Sequence, residues 1–173
     1  DDDRDNLVVL DDSIVRGTTL RQSILKMLGR LRPKKIVVVS SAPQVRYPDY
    51  YGIDMSRLSE FAAFCAAVAL LKERGMVSVL DQVYEECKSL LTADESQLYN
   101  PVKAVYASFS DETVASKMAE MLTPAGVEAD VELIFQSLEG LHEAVADCPG
   151  DWYFSGNYPT PGGLRLLLKA YVD

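Results

Sequence analysis

Histidine, cysteine, positive charge and long apolar runs are all scarce in this 173-residue chain. Its one histidine, His142, falls on a helix face with no partner nearby in the sequence, and it reads as structural rather than catalytic. Cys65, Cys87 and Cys148 are widely spaced and follow no metal-ligand pattern, so a disulfide framework is not expected and a reducing compartment fits. No apolar stretch is long enough to cross a membrane and the start shows no signal-peptide pattern, so a soluble, cytoplasmic protein without a membrane partner is expected. Lys and Arg number 17 against 26 Asp and Glu, a formal net charge of −9. A nucleic-acid surface needs clustered cations, so that partner is not expected either. An anionic ligand must be held locally, by backbone donors, Arg16 and a divalent cation, against an unfavourable overall field.

What is present is a hydrophobic content of 48%, enough for one domain with a core, and a start with the grammar of a phosphate site. Leu7-Val8-Val9-Leu10 reads as a short strand buried on both faces, as in a parallel sheet. It ends on Asp11 and Asp12, and a loop through Ser13, Ile14, Val15, Arg16, Gly17, Thr18 and Thr19 leads into a helical pattern at Leu20, Ile24, Leu25, Leu28 and Leu31. The first N–H groups of a helix lack partners and carry the positive end of its dipole, so a phosphate there is held by several amides. Gly17 permits close approach, and the hydroxyls of Ser13, Thr18 and Thr19 add donors. Ionised Asp11 and Asp12 repel that phosphate and call for a polyol or a metal. A phosphorylated ribose satisfies both halves. Asp11-Asp12-Ser13 also suits an ordinary helix-capping region, although the loop is longer than capping requires.

Further along, Ile36 to Ser40 repeats the buried-strand pattern, giving a strand–helix–strand unit whose phosphate loop lies at the carboxyl edge of the sheet. An ordered loop from Ala42 to Asp54 follows, in which Arg46 is a possible anion ligand, with a surface pair to Asp49 or Asp54 as the alternative. Ser56 is placed to cap a long helix from Arg57 to about Arg74, with Cys65 as a core thiol. Its apolar positions are so numerous that burial against another subunit, a homo-oligomer, is expected. Val77 to Leu91 reads as another helix, Val102 to Phe109 as a strand, Ser110 onward as a capped helix, Val131 to Phe135 as a strand and Leu138 to Val145 as a helix.

Two motifs carry a resemblance. Val8-Val-Leu-Asp-Asp-Ser-Ile-Val-Arg-Gly-Thr-Thr19 is similar to the phosphoribosyl pyrophosphate (PRPP) motif of type I phosphoribosyltransferases, in the version used by glutamine PRPP amidotransferases. Ser40-Ser-Ala-Pro-Gln-Val-Arg-Tyr-Pro-Asp-Tyr-Tyr-Gly-Ile-Asp-Met55 resembles a second stretch of that family, at the expected distance. Phe135-Gln-Ser-Leu-Glu-Gly-Leu141 is similar to a third. The resemblance implies an α/β fold, a partial type I phosphoribosyltransferase fold with a parallel sheet and flanking helices, in one domain over residues 1–173. Residues 77–126 have no counterpart in commoner members and read as an inserted subregion for packing or interaction.

The resemblance further implies a glycosyltransferase of de novo purine biosynthesis. Ammonia from glutamine displaces pyrophosphate from PRPP to give 5-phosphoribosylamine, with the ammonia delivered by a glutaminase domain. Ser13 to Thr19 then cradle the 5′-phosphate; Asp11 and Asp12 bind the ribose hydroxyls, act as the catalytic carboxylates and touch Mg²⁺. Purine nucleotides are implied as inhibitors in the same cradle. The family's earlier strands and glutaminase do not precede Asn6, so the chain looks truncated; a PRPP- or nucleotide-binding regulatory or assembly module without turnover is the alternative. Asp151 to Gly163 resembles a segment in which some members place a cysteine pair for an iron–sulfur cluster. Here Gly150 and Tyr153 stand in those positions and Asp49 in that of another ligand, so no cluster is expected.

Overall fold

The computed structural model describes residues 4–49, 55–146 and 150–173, so Tyr50, Tyr51, Gly52, Asp54 and Cys148 lie outside the described residues. Three strands, β1 (Asn6–Asp11), β2 (Lys35–Ser40) and β3 (Asp130–Phe135), form a parallel sheet in the order β1-β2-β3. The α/β class and the parallel sheet with flanking helices are thus as expected. Asn6 pairs with Lys35 and Asp11 with Ser40, and Lys35 in turn pairs with Asp130 and Ser40 with Phe135, so the three strands end level.

Burial along β1 corrects one expectation. Ile36, Val38 and Leu133 lie on the covered face, whereas Val8 and Leu10 on the other face are 65% and 80% exposed, and Ile134 42%. Strand β1 is therefore half-buried rather than enclosed. An unbroken apolar run cannot separate these cases, because it is equally compatible with a covered and an open second face.

A π-wound turn, Leu20–Ile24, runs into α1 (Leu25–Gly29) and connects β1 to β2. After β2 and its loop comes a short 3₁₀ turn, Leu58–Glu60, before α2 (Ala62–Glu73). Ser56 therefore does not cap α2. Phe61 is extended (φ −79°, ψ 126°), and this break lets the side chains of Leu58 and Phe61 both enter the core. Small residues Ala62, Ala63, Ala66 and Ala67 bury most of α2, while Cys65 is only partly buried.

Helix α3 (Ser78–Leu90) follows, and then Pro101–Val105, where a strand was expected and a 3₁₀ helix forms. Proline opens that helix, and Val102, Val105 and Tyr106 recur at helical spacing and are buried; the alternation that a strand requires is overridden by packing against α3 and α2. Helix α4 (Asp111–Leu122) starts on Ser110, whose hydroxyl accepts the Thr113 N–H, and packs on α2 and β3. Beyond β3 come α5 (Leu138–Ala144), α6 (Trp152–Ser155) and α7 (Pro161–Val172). Helix α7, most of which lies beyond the recognised motifs, is capped by Thr160 and packs on α3, where the Tyr171 hydroxyl donates to the Leu80 carbonyl at 3.2 Å. One continuous core joins the sheet, α2, α4 and the 77–126 segment. His142 does find a partner: its Nε2 lies 2.9 Å from Asp151 Oδ2. Among the described residues, no helix is long and apolar enough to cross a membrane.

Candidate functional site

At the carboxyl end of β1 the chain turns through a loop that walls a cavity of about 540 Å³, lined by Asp11, Ser13, Ile14, Val15, Arg16, Gly17, Thr18, Thr19, Leu20 and Met55. Eight of the nine residues singled out from Asp11 to Thr19 are thereby brought together; Asp12 lies beside the cavity without lining it. The loop is anchored from both sides. The Ile14 side chain is buried in the core, and the Val15 carbonyl accepts the Ala62 N–H at 2.8 Å, tying the loop to the start of α2. Gly17 adopts φ +67° and its carbonyl accepts the Arg21 N–H at 2.9 Å, closing the first helical turn.

Among the described residues, no acceptor is found for the N–H groups of Gly17, Thr18 and Thr19, nor any partner for the Thr18 and Thr19 hydroxyls. These donors stand at the positive end of a helical segment and point to an anion as their partner. The carboxylates form a compact chain: Asp11 Oδ1 accepts the Asp12 N–H at 3.0 Å, and Asp12 Oδ1 accepts the Ser13 N–H at 2.8 Å. Partial burial, and then the neighbouring Asp12 side chain, push the Asp11 carboxyl above the ordinary aspartate range. A polyol hydroxyl or a cation beside this pair would relieve the repulsion. No group of three or more His, Cys, Asp or Glu able to hold a metal occurs among the described residues. Two carboxylates nevertheless suit Mg²⁺, which takes one or two protein carboxylates and completes its shell with water and substrate phosphate.

Arg16, the loop's cation, pairs with Glu60 Oε2 at 2.9 Å, a partner that only the tertiary structure supplies. Arg46 does not line this cavity. Its guanidinium donates to Gln44 Oε1 at 2.8 Å, pairs with Asp111 Oδ1 at 2.5 Å and lies 4.9 Å from the Tyr106 ring centre. It is tied to α4 rather than to the Asp49 partner considered from sequence. Met55 and Leu20 complete the wall; Met55 belonged to the second motif without any assigned role, and Glu60 left no sequence signal because it acts through Arg16.

A larger cavity of about 830 Å³ lies between β3 and α4. Asp111, Glu112, Glu120, Asp130 and Glu132 line it against Lys35 as its one lining cation, and Lys35 is already paired with Asp130 and Glu132. That lining repels phosphate, so the smaller cavity is the better anion site.

No protein-family model matches the chain. It is 38% identical over 96 residues to the amidophosphoribosyltransferase of Haemophilus influenzae, a match taking in 56% of this chain and 18% of that protein. It is 49% identical over 59 residues to the Pasteurella multocida enzyme of the same name, taking in 34% of this chain and 12% of the relative. For that of Escherichia coli the figures are 34% over 88 residues, 51% of this chain and 17% of the relative. The chain spans less than a fifth of the length of these three relatives. With its parallel α/β sheet and its Asp11 to Thr19 loop at the end of β1, the chain is thus similar to amidophosphoribosyltransferases, as its motifs implied.

Proposed function

We propose that the Asp11 to Thr19 cavity binds the ribose 5-phosphate portion of PRPP, and that the chain is the PRPP-binding part of an amidophosphoribosyltransferase. The observation that carries this reading is the set of open N–H donors at Gly17, Thr18 and Thr19 in the same cavity as the Asp11 carboxylate. Donors at one end and an acceptor at the other match a ligand that is anionic at its phosphate and a hydroxyl donor at its sugar.

In this reading the nitrogen lone pair of ammonia attacks the anomeric carbon. The bond to pyrophosphate breaks with its electron pair leaving on pyrophosphate, the nitrogen gives one proton to the departing pyrophosphate or to solvent, and 5-phosphoribosylamine forms. Asp11 and Asp12 accept hydrogen bonds from the ribose hydroxyls and offset positive charge growing on the sugar. Mg²⁺, held by Asp11 and Asp12, would supply neutralisation of the pyrophosphate. Ammonia is already nucleophilic, so the site needs no general base. The same cradle accepts the 5′-phosphate of a purine nucleotide, which makes competitive feedback inhibition part of the proposal. A glutaminase domain in the same polypeptide and a homo-oligomer complete it, as do a cytoplasmic location and a single domain in which residues 77–126 are an added packing element.

Calorimetric titration with ribose 5-phosphate and with inorganic phosphate tests the binding half. Asp12→Asn is expected to weaken ribose 5-phosphate about tenfold or more while leaving inorganic phosphate within about twofold, since an Asn oxygen still accepts the Ser13 N–H that shapes the loop, whereas the ribose hydroxyl loses an ionised acceptor. Equal losses for both ligands would remove the ribose assignment. Ammonia-dependent release of pyrophosphate from PRPP, by a polypeptide that contains this chain, tests turnover. PRPP binding without release would favour a regulatory or assembly module.

A further inference from the structure

The end of α4 and the connection after it touch the candidate helix at both of its ends. A methyl group on Gly17 would lie 2.6 and 2.7 Å from the two Leu122 methyls, and one on Gly29 would lie 2.9 Å from Val127 Cγ2. Gly17 precedes the π-wound turn and Gly29 is the last residue of α1, so the backbone at each end rests directly on the segment Leu122 to Val127. That segment is itself held. The Thr123 hydroxyl donates to the Ala119 carbonyl at 2.7 Å, the Val127 N–H donates to the Pro124 carbonyl at 3.3 Å, and Lys117 ties α4 to α2 through Glu73.

The N–H groups of Gly17, Thr18 and Thr19 have no acceptor among the described residues to locate them, so contacts elsewhere along the loop must do so. Loop and helix are fixed by the Val15 contact to Ala62 on one side and by Leu122 beneath Gly17 on the other. From this we propose that Leu122 is a positioning residue for the anion cradle: its methyls set where the three open N–H groups present themselves. The proposal rests on the phosphate-binding reading of the cavity and deepens it. It gives the 77–126 segment a part in the site although Leu122 contributes no group to the cavity wall. A misplacement of about 1 Å in such a donor set is enough to weaken binding severely.

The test compares Leu122→Ala with Val114→Ala in the same chain, Val114 being a fully buried residue of α4 about two turns before Leu122. Two readouts are used: calorimetric affinity for ribose 5-phosphate, and ligand-free hydrogen exchange of the Arg21 amide, which bonds to the Gly17 carbonyl. Leu122→Ala is expected to weaken ribose 5-phosphate and to speed Arg21 exchange, each about tenfold, whereas Val114→Ala lowers thermal stability but leaves both within about twofold. Leu122→Met is expected to restore both. Equal effects of the two alanine variants, or no effect of Leu122→Ala on either readout, would overturn the proposal. If the unmodified chain fails to bind ribose 5-phosphate, the ligand reading falls, and the Arg21 exchange still decides whether Leu122 positions the loop.

Discussion

Gly17→Ala is the sharpest stability test of the loop, because two costs at that position can be separated. The first is conformational: Gly17 sits at φ +67°, where a Cβ costs about 1–2 kcal/mol. The second is steric, since the new methyl would sit 2.6 Å from Leu122 Cδ2, and forcing an extra carbon into a packed site costs about 1–3 kcal/mol. Gly75 supplies the control: its φ is +68°, and a methyl there meets nothing within 4 Å. Gly75→Ala therefore carries the conformational cost alone. For a chain of this size each kcal/mol lowers the melting temperature by about 2–4 °C, so at the middle of these ranges Gly17→Ala is expected to fall by about 7–14 °C and Gly75→Ala by about 3–6 °C. Thermal unfolding followed by circular dichroism reads both. Adding Leu122→Ala to Gly17→Ala should recover the steric part, giving a favourable coupling of about 1–3 kcal/mol in a double-mutant cycle. Gly17→Ala no more harmful than Gly75→Ala, or a cycle without coupling, would refute close packing of the loop on α4.

Asp11→Asn is expected to raise stability at neutral pH while weakening ribose 5-phosphate binding. The folded carboxyl titrates above its unfolded value, so the folded state holds the proton more tightly and stability falls as pH rises through the carboxylate range; the variant's melting temperature should lack that part of the fall. Arg46→Ala should cost about 1–3 kcal/mol in urea unfolding, because Gln44, Asp111 and Tyr106 lose their shared partner, and should leave ribose 5-phosphate affinity within about twofold. A large loss of affinity would return Arg46 to the site. Burial pushes the Cys87 thiol up to about 12, so peptide mapping after treatment with a thiol reagent should find Cys87 unlabelled in the native protein and labelled in denaturant.

Most residues that line the smaller cavity were legible in the sequence because they are contiguous, Met55 being the exception. A strand, a loop with one glycine and the start of a helix need only local geometry to gather Asp11 and Ser13 to Thr19 around one space, and a phosphate site built from backbone amides is local for the same reason. The parallel strands were legible through their short apolar runs and most helices through their periodicity. What failed were judgements that depend on which surface meets which. The run Val102 to Phe109 is rich enough in valine and aromatics for a strand, yet Pro101 and the neighbouring helices make its first residues a 3₁₀ turn. Burial of Val8 and Leu10 was inferred from an apolar run, which does not say what lies on the second face.

Sequence alone determined the chemistry of the loop and its order along the chain, because these are properties of residues next to one another. Tertiary structure alone decided that Glu60 holds Arg16, that Asp111 rather than Asp49 holds Arg46, and that Leu122 underlies Gly17, more than a hundred residues away. Each of these is a contact between groups that lie far apart in the sequence. Such contacts follow from how helices pack on a sheet, which no spacing within one segment encodes.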